Sequence, residues 1–133
     1  MIDPVSALTL LLACEVQGGY IGNRWFGQPL SAQVAVMQVV VHRMEDRDGE
    51  YYLYDLLSEP KQFCLHKTNL NDPLLDEYKK TARMFLTNVS TEYRVPDLTG
   101  CRAKFFTSTD RPPIKGGKLC RRLGDIRFWE VVI

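Results

Sequence analysis

General acid catalysis needs a carboxyl shielded from water, and Glu15 has the spacing for it. Leu8, Leu11, Leu12 and Glu15 fall at i, i+3, i+4 and i+7, which is one face of a helix. Glu15 therefore ends an apolar stripe and must be partnered or carry a raised pKa. A carboxyl kept protonated near neutral pH suits glycoside cleavage, where an acid protonates the leaving oxygen. Tyr20, Trp25, Phe26 and Phe63 offer faces on which sugar rings stack. The plain alternative is a helix-end carboxylate paired with an arginine.

Other chemistries have weaker footing. Cys14 with His42 would make a thiol–imidazole pair. Cys14 precedes Glu15 by one position, so it points about 100° away around the helix. A single cysteine in a buried helix usually acts as a small hydrophobe. His42 and His66 are expected to be structural or exposed. With no export signal in the chain, Cys14, Cys64, Cys101 and Cys120 are expected as four reduced thiols. A Cys101–Cys120 disulfide is the alternative. A zinc set built from Cys64, His66, Cys101 and Cys120 matches no common C-x-x-C framework. No metal or cofactor is expected.

These residues need elements to position them. Asp3-Pro4 reads as an N-cap followed by proline at the first helical position, and Gly18-Gly19 ends that helix. Residues 18–30 read as an aromatic, glycine-rich loop. Ser31 caps a second helix from about residue 32 to 46. Its β-branched run favours a strand, but its length and the polar repeat Gln38, His42 and Glu45 favour a helix, central and buried. Tyr51, Tyr54 and Leu57 suggest a short helix. Asp72-Pro73 repeats the capping signal, ahead of an amphipathic helix through Leu74, Tyr78, Ala82 and Phe85 that ends near Asn88. Residues 104–107 and 126–133 read as strands, with turns at Pro112-Pro113 and Gly116-Gly117. The expected fold is α+β, mostly α, with a small C-terminal β element, and residues 1–133 form one domain.

Composition limits the partners. The chain of 133 residues is 45% hydrophobic and 25% charged, which excludes disordered and low-complexity classes. A net charge of +1 speaks against a general nucleic-acid coat, and no nucleic acid is expected. The balance is uneven, because residues 102–127 hold eight basic and two acidic side chains, a local excess of six. That face suits an anionic envelope surface. No apolar run reaches the ~20 residues of a membrane span. Residues 5–14 lack a basic lead-in and a cleavage site, so synthesis without a signal peptide is expected.

Five segments, taken in order, carry a resemblance. They are residues 13–18, with Glu15 in an acid-x-x-Gly pattern; residues 32–43, a Gln33-x-Ala35-Val36 helix ending at Arg43; Pro60-Lys61-Gln62-Phe63; Ala103-Lys104-Phe105-Phe106; and Leu123-Gly124 leading to Phe128. Together they resemble the catalytic domain of cell wall hydrolases of the spore-cortex-lytic type, found also in phage lysins. The resemblance implies a lysozyme-like fold, cleavage of peptidoglycan glycan strands, and Glu15 as the catalytic acid. The chain departs from that family in three places. The second acid often found soon after the first is absent, His42 replaces an Asn, and Ile126 replaces a common His.

The expected activity is lytic transglycosylation at the β-1,4 bond between N-acetylmuramic acid and N-acetylglucosamine, with no second carboxylate. A hydrolytic muramidase and a non-catalytic wall-binding or virion domain are the alternatives. Expected substrate contacts are Gln33, Gln38, Gln62 and Thr107, with Tyr20, Trp25, Phe63, Phe105 and Phe106 as aromatic surfaces. Each glutamine could equally be a structural cap or a satisfied buried group. The protein is expected as a monomer, delivered through a holin or within a virion.

Overall fold

The structure, a computed structural model, describes residues 3–45, 56–57, 71–89 and 96–131. Three helices carry most of the core: α1 (Pro4–Glu15), α2 (Leu30–Glu45) and α3 (Leu75–Val89). A hairpin of β1 (Gly18–Ile21) and β2 (Arg24–Gly27) joins α1 to α2. A second sheet is formed by β3 (Phe105–Thr107), β4 (Gly117–Leu123) and β5 (Ile126–Val131) in the order β3-β5-β4, all antiparallel. The chain is thus a mixed α+β domain, as its patterning predicts.

The capping signals at Asp3 and Asp72 work as expected, but Ser31 does not cap the second helix: α2 already begins at Leu30, and the Ala32 and Gln33 N–H groups donate to the Pro29 carbonyl. Asp3 accepts hydrogen bonds from the Ser6 backbone N–H at 2.9 Å and the Ser6 hydroxyl at 2.7 Å, ahead of Pro4. Asp72 Oδ1 accepts the Leu74 N–H at 2.8 Å at the start of α3. On α3 the predicted stripe of Leu74, Tyr78, Ala82 and Phe85 is buried. Burial and the nearby Asp72 carboxylate push the Tyr78 phenol up to about 12.

Helix α1 is buried more widely than an amphipathic stripe requires. Ala7, Thr9 and Ala13 are covered along with Leu8, Leu11 and Leu12. Against it packs α3, and α2 is buried continuously from Ala32 to Val40. The β-branched residues of α2 form a helix because the segment is buried on most sides, largely among apolar groups. Propensity yields to packing there. Leu56 and Leu57 are helical and buried. The remainder of the short helix expected around them lies outside the described residues.

Two expectations need correcting. Residues 18–27 form a hairpin instead of a loop, in register Gly18↔Gly27 to Ile21↔Arg24. Its two-residue turn has positive φ at Gly22 (+63°), as the II′ type requires at its first central position. Strand β4 has no clear signal in the sequence, since Arg121 and Arg122 break its alternation. It exists because β5 pairs with it across the Gly124-Asp125 turn, where Gly124 again has positive φ (+58°). None of the described helices is long and apolar enough to cross a membrane.

The cysteines also correct an expectation. Cys101 and Cys120 form a disulfide across a Cα separation of 5.9 Å, and Cys14 is disulfide-bonded as well. Neither the reduced state nor the zinc set describes these residues. Cys120 lies at a register shift between Leu119 and Arg121, where β4 departs from regular pairing. Such an irregularity re-aims a side chain out of the strand's alternation.

Candidate active site

Glu15 is the last residue of α1 and is half-buried. It opens onto a cavity of about 280 Å³ walled by Phe106, Thr107, Ser108, Thr109 and Ile126. Three parts of the chain therefore meet there: the end of α1, β3 with the turn after it, and the first residue of β5. Among the described residues lining this cavity, Glu15 is the only acid.

The wall opposite Glu15 is held from behind. Trp129 is almost fully buried, and its indole Nε1 donates to the Thr107 hydroxyl oxygen at 2.8 Å. That hydroxyl in turn donates to the Thr109 carbonyl at 2.8 Å. One acceptor lone pair of Thr107 is left over. Arg127 fixes the turn that follows. Its guanidinium donates to Asp110 Oδ1 at 2.7 Å, and to the Ser108 and Asp125 carbonyls at 2.9 Å each. Arg122 donates to the same Asp110 oxygen at 2.8 Å. A planar guanidinium suits this role because its donors lie in a fixed fork.

The expected substrate contacts divide into three groups. Phe106 and Thr107 reach the cavity with Glu15. Gln33, Gln38, Tyr20, Trp25 and Phe105 do not line it. Gln33 is fully buried, and its Nε2 donates to the Gly18 carbonyl at 2.9 Å and the Gln28 carbonyl at 3.3 Å. Gln38 donates to the Pro96 carbonyl and accepts the Leu98 N–H, both at 2.8 Å. Both glutamines are struts between α2 and the backbone, because buried amides must satisfy their donors inside the protein. Phe105 lies under the Arg43 guanidinium, 4.8 Å from its ring centroid. Tyr20 and Trp25 are cross-strand partners in the hairpin and meet edge to face at 5.0 Å. Gln62 and Phe63 lie outside the described residues, as do Cys64 and His66.

His42 is structural, as expected. It is buried, its Nδ1 lies 2.8 Å from the Ala103 carbonyl, and its Nε2 lies 4.0 Å from Asp97. Asp97 organises the turn before β3. It accepts the Thr99 hydroxyl at 2.7 Å, the Thr99 N–H at 2.9 Å and the Arg102 N–H at 2.7 Å. Burial raises the Asp97 pKa. Those hydrogen bonds and the nearby His42 outweigh it, holding the carboxyl below its ordinary value. The same turn holds Arg102 at a φ of +55°, a region unusual for a side chain, and Arg102 pairs with Glu45.

Sequence reasoning missed Trp129 and Arg127 as supports of the cavity wall. A trace was present in the alternation of Ile126 and Phe128 within the last strand, but which wall the neighbouring Arg127 and Trp129 back depends on the β3–β5 register. No family model matches this chain, and neither a curated protein nor a solved structure matches it significantly.

Proposed function

We propose that the protein cleaves the glycan strands of peptidoglycan as a lytic transglycosylase, with Glu15 as the single acid and base. One observation carries this reading. Three of the segments that resemble cell wall hydrolase motifs, those holding Glu15, Phe106 and Ile126, converge on one cavity. Glu15 lies 91 positions before Phe106 and 111 before Ile126, so its meeting with them is a property of the fold.

Glu15 protonates the glycosidic oxygen as the bond to the muramic acid anomeric carbon breaks. The resulting carboxylate then takes the proton from the muramic acid C6 hydroxyl as that oxygen closes on the same carbon. The product is a 1,6-anhydro sugar and no water is consumed. A hydrolytic route would draw on a second carboxylate about 5–9.5 Å from the first. The described cavity wall supplies none, and Glu45 is engaged by Arg102. Ile126 stands where the family commonly has His, so that position supplies no second base, and the same Glu15 carboxyl serves in both proton transfers. The Cys101–Cys120 disulfide supports work outside the reducing cytosol, where such bonds persist.

The test is digestion of purified peptidoglycan by the wild type and by Glu15→Gln, with the muropeptides analysed by mass. The wild type is expected to release anhydro-muropeptides and the variant to lose about 10²–10⁴-fold in rate, the usual contribution of a general acid. Reducing-end products would turn the reading to hydrolysis. Equal activity of the two proteins would remove Glu15 from the mechanism, and an inert wild type would leave a binding or structural domain.

A further inference from the structure

A second and larger concavity adjoins the Glu15 cavity. It has a volume of about 700 Å³ and shares Thr107 and Thr109 with the smaller one. Beyond those residues it is lined by the connection between β3 and β4, including Arg111, Pro112, Ile114 and Lys115. The connection is stiff. Two successive prolines fix their own φ angles, and the Gly117 N–H closes a turn onto the Ile114 carbonyl at 3.2 Å. The groove is therefore largely shaped before any ligand arrives.

Its charge is unbalanced. Arg111 and Lys115 are exposed, and among the described residues neither forms an ion pair. The nearest acid in sequence, Asp110, is already taken by Arg122 and Arg127. Between the two cations Ile114 offers an apolar ledge, itself 37% exposed. Two unpaired cations flanking an aliphatic side chain fit a short peptide that carries carboxylates and small apolar groups. They fit a neutral sugar poorly.

We propose that this groove binds the acidic stem peptide attached to muramic acid beside the scissile bond. The inference rests on the glycan-cleaving reading above, and adds that the peptide substituent, through its carboxylates, helps to select the bond that is cut. Thr107 and Thr109 mark the passage from the sugar site to the peptide groove.

The experiment compares two substrates: glycan strands with native acidic stems, and the same strands with the stem carboxylates converted to amides. Both are offered to the wild type and to the Arg111→Gln/Lys115→Gln variant. In parallel, the soluble disaccharide-peptide and its amidated form are titrated against both proteins by calorimetry. The wild type is expected to favour acidic strands by about three- to tenfold in kcat/KM, the range two exposed charge pairs supply. The preference should lie in KM and fade at high salt. The double variant should lose it by falling on acidic strands, while its rate on amidated strands stays unchanged. No preference in the wild type, or a preference that survives in the variant, overturns the proposal. So does equally tight binding of a DNA oligomer, which would mark an unselective basic surface. If the wild type cleaves neither strand, the glycan-cleaving reading fails, and the titrations then decide the groove by themselves.

Discussion

Gln28 and Asp125 lie 97 positions apart and grip each other through two hydrogen bonds. Gln28 Nε2 donates to Asp125 Oδ2 at 3.0 Å, and the Asp125 backbone N–H donates to Gln28 Oε1 at 2.8 Å. The clasp ties the end of the first hairpin to the turn between β4 and β5. Ile126, the next residue, forms part of the cavity wall around Glu15. A surface amide thus helps to set the position of the candidate active site.

Gln28→Ala removes both hydrogen bonds of this clasp. A loss of about 1 kcal/mol in unfolding free energy is expected, since the contact is exposed. Activity should fall further than stability, because the Ile126 wall is released. Gly124→Ala should be worse, since a Cβ there would come within 2.3 Å of Gln28 Oε1 at a positive φ. Urea unfolding and muropeptide release measure the two effects. A Gln28→Ala protein with unchanged activity would show that the clasp does not govern the site.

Thr107→Val keeps the shape of the wall and strands the buried Trp129 N–H. The cost should be about 1–3 kcal/mol, that of an unsatisfied buried donor. Trp129→Phe removes the donor itself. The double variant should therefore be more stable than the sum of the two single changes predicts. Simple additivity in a denaturant-melt cycle would mean that the 2.8 Å contact contributes nothing.

The Asp97 network makes stability depend on acid. The carboxyl has a lowered pKa in the fold, so its contribution is complete above the unfolded value of about 3.9. It is lost as pH falls through the lower folded value. The wild type should thus lose stability below about pH 4 more steeply than Asp97→Asn, which starts less stable and has no such proton to gain. Unfolding midpoints at a series of pH values would show it. Parallel curves for the two proteins would count against the assignment.

Cys101 and Cys120 are separated by 19 positions. Closing a loop of that size restricts the unfolded chain by roughly 3 kcal/mol in the chain-entropy model. Cys101→Ser/Cys120→Ser should be destabilised by about that amount with the bond of Cys14 intact. The 97–103 turn, with Arg102 in its left-handed conformation, should be the first region to lose hydrogen-exchange protection. A double variant as stable as the wild type would show that the turn is held by Asp97, His42 and Gln38 alone.

Much of this protein is legible in its residues. The caps at Asp3 and Asp72, the stripe on α3 and the central burial of α2 follow from local rules of spacing and side-chain chemistry. The helical register set Glu15 apart, because a carboxyl at i+7 of an apolar face has few places to go. Local rules could not say what stands opposite Glu15. Phe106, Thr107 and Ile126 reach it only through the β3–β5 register, which pairs residues 20–24 positions apart, and the Gln28–Asp125 clasp, which joins residues 97 apart. Nor could spacing tell a substrate-binding glutamine from a strut. Gln33 and Gln38 look alike in sequence with any exposed amide, and only burial against backbone carbonyls decided their role. The cysteines taught the same lesson, since pairing depends on the distance between Cα atoms and that distance is tertiary.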